Sequence, residues 1–351
     1  MPPTPMAERV AQAAQSAAAP ILSVRELTTY FHLPEGIVRA VDGVSFDAYA
    51  GRTLGVVGES GCGKSITARS ILGIVERPGR IESGEILLYG AGEQSGPIDL
   101  VSLAPNGAQM RAIRGKEIAL IFQEPMASFS HYYTVGNQIM EAILQHSDAS
   151  KQDAYARAIE LLRTVGVPEP ERRVDEYPFQ LSGGLRQRVM IAMALACDPR
   201  VLIADEPTTA LDVTTQAQVL DLLRGLQEQR GLTLILITHD MGVIAEMADD
   251  VVVMYLGRAV EKGSVDDIFH APKHPYTRAL LRSIPSIIAA PRTKLATLGG
   301  SIPHPFNRPA GCPFHPRCPD CMISVCDSAI PPVLAEEHGR EVSCFLYGGK
   351  P

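Results

Sequence analysis

Residues Gly58-Glu59-Ser60-Gly61-Cys62-Gly63-Lys64-Ser65 follow the spacing G-x-x-x-x-G-K-[ST], in which each residue type answers a need of a bound polyphosphate. The glycines let the backbone wrap closely, while successive N–H groups and a following helix N-terminus bind anionic oxygens. Lys64 reaches the terminal phosphates and the Ser65 hydroxyl can ligate Mg²⁺. Further along, the apolar run Val201-Leu202-Ile203-Ala204 ends in Asp205-Glu206. Adjacent acids at a strand end are ordinarily a solvated turn. With a phosphate loop upstream they gain separate tasks, Asp205 in the Mg²⁺ shell and Glu206 orienting or deprotonating an attacking water. Ser182-Gly183-Gly184 opens an apolar helix (Val189, Ile191, Ala192, Leu195), giving an anion-binding helix N-terminus with little bulk. Finally, five of the seven cysteines (Cys312, Cys318, Cys321, Cys326, Cys344) crowd the end of the chain, a pattern that reads as a metal site before it reads as disulfides in a reducing compartment.

A phosphate loop works only between a strand and a helix. Thr53 to Val57 predicts the strand, and residues from about 65 to 75 the helix, ended by Pro78-Gly79. Ahead of it, alternating apolar residues (Leu22, Val24; Val44, Phe46, Ala48) around Pro34-Glu35-Gly36 predict an antiparallel pair of strands. From about 134 to 195 the three- and four-residue spacing of Ile139, Ile143, Leu144, Ile159, Leu162 and Val165 predicts helices, interrupted at Pro168-Glu169-Pro170. Two buried strands (Val201 to Ala204, Leu232 to Ile237) flank a helix at about 216 to 229, the layout of a mainly parallel, covered sheet. Beyond Pro272 proline becomes frequent, and 284–351 reads as a separate, loop-rich appendage.

The 351 residues suffice for one large domain with an appendage, and 46% hydrophobic against 20% charged content is the balance of a folded protein with a sizeable core. A net charge of -7 argues against a nucleic-acid or anionic-lipid partner. No apolar run reaches the length needed to span a bilayer. Residues 1–20, rich in Ala, Pro and Gln without a basic start, read as a disordered leader rather than a signal peptide, which predicts a cytosolic protein.

Leu181-Ser182-Gly183-Gly184-Leu185-Arg186-Gln187-Arg188 resembles the signature of ABC ATPases, and further elements follow in that family's order. Gln123 in Ile121-Phe122-Gln123-Glu124-Pro125 resembles the Q-loop glutamine that contacts Mg²⁺ and water. Asp212 in Ala210-Leu211-Asp212 resembles the D-loop, and His239 in Thr238-His239-Asp240 the switch histidine that meets the γ-phosphate. Singly, such a Gln or His is ordinarily a surface or satisfied core residue; in this order they share no such explanation. Phe31, beside Tyr30, aligns with the aromatic that stacks on adenine.

The likeness is closer to one branch. Gly58-Glu59-Ser60-Gly61, Gln123-Glu124-Pro125-Met126, His274-Pro275-Tyr276-Thr277-Arg278-Ala279-Leu280-Leu281 and Cys312-Pro313-Phe314-His315-Pro316-Arg317-Cys318-Pro319 resemble the ATPase subunits of oligopeptide, dipeptide and nickel importers over about residues 22–346. The resemblance implies an ABC-type P-loop fold of parallel sheet core, antiparallel β subdomain and helical subdomain (about 124–195) within an ATPase domain at 21–283. It implies ATP and Mg²⁺ as ligands, Mg²⁺ being held by Ser65, Gln123 and Asp205. It implies a second ATPase subunit whose signature caps the ATP, two permease subunits, an external solute-binding protein, and a place on the cytoplasmic face of the inner membrane. The solute is expected to be a peptide, with nickel or sugars as alternatives. Cys312, Cys318, Cys326 and Cys344 resemble a pattern that some members use for a [4Fe-4S] cluster; zinc is the alternative, and Cys321 is extra. Cys62 stands where the family usually has Ser, and Phe129-Ser130-His131-Tyr132-Tyr133 departs from the family near the permease contact. A soluble ABC ATPase acting on DNA or ribosomes, a metal-binding regulator with an inactive nucleotide domain, and an exporter are the competing expectations.

Overall fold

The structure, a computed structural model, describes residues 19–90, 96–284, 299–336 and 339–348. The leader expected at 1–20 lies outside them except for its last two positions, and Pro20 already opens a strand.

β1 (Pro20–Leu33) and β2 (Gly36–Tyr49) form the expected antiparallel pair about a turn at Pro34-Glu35. Their alternation buries Leu22, Val24, Val44, Phe46 and Ala48 on one face. β3 (Thr53–Val57) leads into the phosphate loop. β4 (Gly79–Leu88) and the short β5 (Ile98–Asp99) complete a four-stranded antiparallel sheet in the order β2-β1-β4-β5.

The main sheet adds β6 (Ile118–Ile121), β7 (Val201–Asp205), β8 (Thr233–Thr238), β9 (Asp250–Tyr255), β10 (Arg258–Ser264), β11 (Leu334–Ala335) and β12 (Glu341–Val342). Its order is β11-β12-β10-β9-β3-β8-β7-β6. From β9 to β6 every pairing is parallel, whereas β10, β12 and β11 join antiparallel. β3, β7 and β8 are buried at every residue, as apolar strands covered on both faces must be. The helix after the phosphate loop, Lys64–Ile71, stops short of the length expected, because the chain turns through Gly73 at φ +59°.

Between β6 and β7 lie the helices Val135–His146, Lys151–Thr164 and Gly183–Ala194, started by Thr134, Ser150 and Ser182 side chains that accept the N–H three residues on. Their apolar faces (Ile139, Leu161, Val189) share one core with Leu202 and Leu234 of the sheet. Among the described residues no helix is long and apolar enough to cross a membrane.

The C-terminal segment expected as a separate appendage shares a core with the ATPase domain. Cys312, Phe314, Cys326 and Phe345 pack in one cluster with Val57 at the end of β3, Tyr255 of β9 and Tyr276. The Phe314 ring meets Tyr255 edge-on at 5.2 Å and Tyr276 at 5.3 Å. β12 pairs with β10, and Glu261 of β10, 1% exposed, accepts from Arg340 at 2.9 Å and from the N–H groups of Lys273 and His274.

Candidate active site

β3, β8, β7 and β6 are consecutive neighbours in the sheet and run parallel, so their C-terminal ends open on one crevice, the ordinary ligand position of such sheets. β3 delivers the phosphate loop, β7 ends in Asp205 before Glu206, β8 ends before His239, and β6 ends two residues before Gln123. Topology thus gathers residues that are up to 181 positions apart in the chain, as counted from Gly58 to His239.

Within the loop, a Cβ on Gly63 would stand 2.1 Å from the Ala40 carbonyl oxygen of β2, and one on Gly58 2.2 Å from that of Met254. Only glycine admits such approaches. Cys62, in the place of serine, is buried against Gly58, and burial pushes its thiol pKa up, so it stays neutral beside the phosphates. Lys64 Nζ donates to the carbonyls of Gly58 (2.7 Å) and Glu59 (3.2 Å), folded back on its own loop. The loop encloses a cavity of about 210 Å³ lined by Ser60, Gly61, Gly63, Lys64, Ser65, Gln123 and Glu206.

Ser65 Oγ donates to Asp205 Oδ1 at 2.9 Å, bringing together a hydroxyl and a carboxylate that suit Mg²⁺. Burial pushes the Asp205 carboxyl up, opposed by the Ser65 hydrogen bond and reinforced by the neighbouring Glu206 charge. A cation here would restore its ionised form. Glu206 is 8% exposed and takes φ +48°, a left-handed conformation uncommon for a non-glycine residue and characteristic of active sites. Its Oε2 accepts from Gln123 Nε2 at 3.1 Å and from Thr209 Oγ1 at 2.8 Å, and its Oε1 lies 3.2 Å from His239 Nδ1. Burial alone would raise this carboxyl, but the hydrogen bonds from Thr209 and His239 outweigh it and hold it below the usual carboxylate range.

The residues singled out in the sequence therefore divide. Gly58 to Ser65, Gln123, Asp205, Glu206 and His239 converge. Ser182, Gly183, Gly184 and Asp212 do not line the cavity of their own chain. Ser182 caps the helix Gly183–Ala194, and Asp212 caps the helix Val213–Arg230, accepting from Thr215 N–H at 3.0 Å. Phe31 is also absent from the cavity wall; its ring packs at Gly79 together with Val75. Neighbouring Tyr30 donates its hydroxyl to Asp42 Oδ1 at 2.6 Å.

Sequence reading missed Thr209, and it missed the hold of the C-terminal segment on the loop. Arg317 grips Glu59 through both guanidinium ends, at 2.7 and 3.0 Å, and the Glu59 N–H donates to the Tyr276 hydroxyl oxygen at 2.9 Å. Arg317 and Tyr276 both sit inside segments that carried the family likeness, which was the one available signal.

The four cysteines expected as one ligand set meet in the structure. Cys312, Cys318, Cys326 and Cys344 border one small cavity with Phe314, His315 and Pro331, and Cys321 stands outside that wall. Among the described residues, however, no group of three or more His, Cys, Asp or Glu side chains is placed to hold a metal ion. The enclosed space, about 10 Å³, is about that of one water. Without a metal, burial pushes the Cys312 thiol up to about 11 and the Cys318 thiol up to about 12, and raises that of Cys344.

Comparison with known proteins matches residues 41–209 to the family described as ABC transporter and residues 260–326 to the oligopeptide/dipeptide transporter C-terminal region. The oligopeptide transport ATP-binding protein AppD of Bacillus subtilis is 49% identical over 93% of this chain and 97% of its own length. The dipeptide transport ATP-binding protein DppD of Haemophilus influenzae is 46% identical over 92% of this chain and 94% of its own. Among solved structures, the ATP-binding cassette MJ0796, a dimer in a post-hydrolysis state bound to ADP and Pi, has a TM-score of 0.61 at 26% identity. It covers 70% of this chain and 98% of that one.

Proposed function

The chain belongs to the ATP-binding subunits of oligopeptide and dipeptide ABC transporters, and from that premise we propose that it drives peptide uptake through separate permease subunits. It is an ABC-type ATPase with an importer-type C-terminal region.

In the reading we favour, the N–H groups of Gly61 to Ser65 and the Lys64 ammonium hold the phosphates once ATP displaces Lys64 from the Gly58 and Glu59 carbonyls. Ser65, Asp205 and Gln123 would hold Mg²⁺, which neutralises charge developing on the transferred phosphoryl group. Glu206 accepts the proton of the attacking water, its carboxylate aimed by Gln123 and Thr209. His239 stands on its other oxygen, next to the position of the terminal phosphate.

The observation that carries this reading is the buried Glu206 held by three side chains beside the phosphate loop. Replacing Glu206 by Gln keeps the hydrogen-bonding shape and removes the base. ATP binding should persist while turnover of the assembled transporter falls by about 10²–10⁴-fold; unchanged hydrolysis would remove Glu206 from the role.

Ser182, Gly183 and Gly184 stand free of their own chain's nucleotide cavity, which supports their use on ATP held by a second ATPase subunit, identical or paralogous. Further partners are two permease subunits and a solute-binding protein, with the chain peripheral on the cytoplasmic face of the membrane. Tyr132 (87% exposed) and Tyr133 (59%), close beyond Gln123 in the chain, offer the permease an aromatic surface. Peptides are favoured over nickel or sugars because the relatives named above are oligopeptide and dipeptide transport proteins. The four cysteines that border one cavity are the ligand set we assign to a [4Fe-4S] cluster, or to zinc, should the cavity open; anaerobically purified protein devoid of iron, sulfide and zinc would sink that assignment.

A further inference from the structure

The phosphate loop accounts for one end of the nucleotide cavity. The opposite wall is built from Val38, Arg39 and Ala40 of β2, from Leu256, and from His304, Pro305 and Arg308 of the C-terminal segment. A nucleoside triphosphate is elongated, so with its phosphates at Gly61 to Ser65 its base and ribose must rest against that wall. Phe31, the aromatic expected for the base, packs its ring at Gly79 and is not among the residues of this wall.

Arg308 stands in this wall. Its side chain is 17% exposed and approaches Asp42 Oδ2 at 3.0 Å. That approach is ionic and off the hydrogen-bond direction, so both terminal nitrogens lack a hydrogen-bond partner among the described residues. Asp42 is meanwhile served by the Tyr30 hydroxyl and by Arg258 at 2.9 Å. Both terminal nitrogens of Arg308 are closed to solvent, so it meets the cavity through the rest of its side chain, a stem against which a flat base can pack. His304 adds a second flat ring, 5.3 Å from Phe306, which itself packs on Gly36 at the β1–β2 turn. The Arg317–Glu59 pair ties the segment to the phosphate loop.

We propose that residues 304–308 of the C-terminal segment form the base- and ribose-binding wall of the nucleotide site, with Arg308 and His304 contacting the base. The proposal rests on the reading of this cavity as the ATP site. It makes nucleotide affinity depend on how the C-terminal segment sits.

Titration calorimetry of the full chain with Mg-ATP and, separately, with Mg-tripolyphosphate tests it. His304→Ala should weaken ATP binding about tenfold, the order expected for a lost stacking contact, and Arg308→Ala about threefold, while tripolyphosphate binding changes less than twofold. His304 is exposed, so its variant leaves the fold intact and remains informative if Arg308→Ala misfolds. ATP affinity within twofold of the parent in His304→Ala and in any folded Arg308→Ala, or equal weakening of both ligands, overturns the proposal. A parent that binds neither ligand overturns instead the reading of the cavity on which it rests.

Discussion

Glu206 is a buried carboxylate whose charge survives because its neighbours donate to it. Burial favours the neutral acid; Thr209 and His239 reverse the sign and leave a group ionised at neutral pH. Because the folded pKa is depressed, the stabilisation from ionised Glu206 is fully present above the unfolded carboxylate range and is lost as pH falls through the folded value. The acid limb of turnover should accordingly lie below the ordinary Glu range. Thr209→Val removes the 2.8 Å hydrogen bond, lets burial act, and should move that limb to higher pH while leaving ATP affinity intact. The pH profile of kcat for the assembled transporter measures this; an unmoved limb would point to another group. At this scale the sequence was most readable, since Lys64, Ser65, Gln123, Asp205, Glu206 and His239 carry their chemistry in their identity and order. It was least readable at Phe31, because an aromatic on a strand declares its size but not which neighbours its ring will meet, here Gly79 and Val75.

The strand, loop and helix around Lys64 show what an element requires of its neighbours. Gly63 combines φ +102° with a Cβ position 2.1 Å from the Ala40 oxygen; Gly61, at φ +79°, has open space around it. Gly63→Ala should therefore cost at least about 3 kcal/mol and abolish ATP binding, whereas Gly61→Ala meets only left-handed backbone strain, about 1–2 kcal/mol. Thermal denaturation with and without Mg-ATP separates the two; equal losses would mean that the packing of the loop on β2 is unimportant. The spacing of the motif marks Gly63 as glycine and leaves Gly61 at an unspecified position, but it does not say why Gly63 is required, since the atom that decides belongs to a different strand. The helix start at Ser182 was legible for the opposite reason, as a cap bonds within three residues of itself, whereas the helix expected from about 216 begins at Val213 under an Asp212 cap.

Across the whole molecule, the C-terminal segment extends the main sheet and completes the core beneath the phosphate loop. Glu261 and Arg340 form a buried ion pair at this junction, 0% and 8% exposed at their side chains. Removing one partner strands the other's charge in the interior, so Arg340→Ala should destabilise the protein by about 3–5 kcal/mol. The paired change Arg340→Met with Glu261→Gln should recover much of that loss. Chemical denaturation provides the measurement, and a single-variant loss under 1 kcal/mol would show that the junction does not bear on stability. Proline content suggested a separate unit here, because loops that pack tightly and loops that trail in solvent look alike in composition.

Local information sufficed for the fold class, the phosphate loop, the acidic strand end and the order of the family's elements, since each is specified by residues within a few positions of one another. The position of Phe31 away from the cavity, the Arg317–Glu59 tie, the closeness of His304 and Arg308 to the nucleotide end, and the closed cysteine cavity were fixed by tertiary structure alone. Each depends on contacts between segments tens to hundreds of residues apart, brought together by burial, which is non-directional and leaves no pattern at the positions it joins.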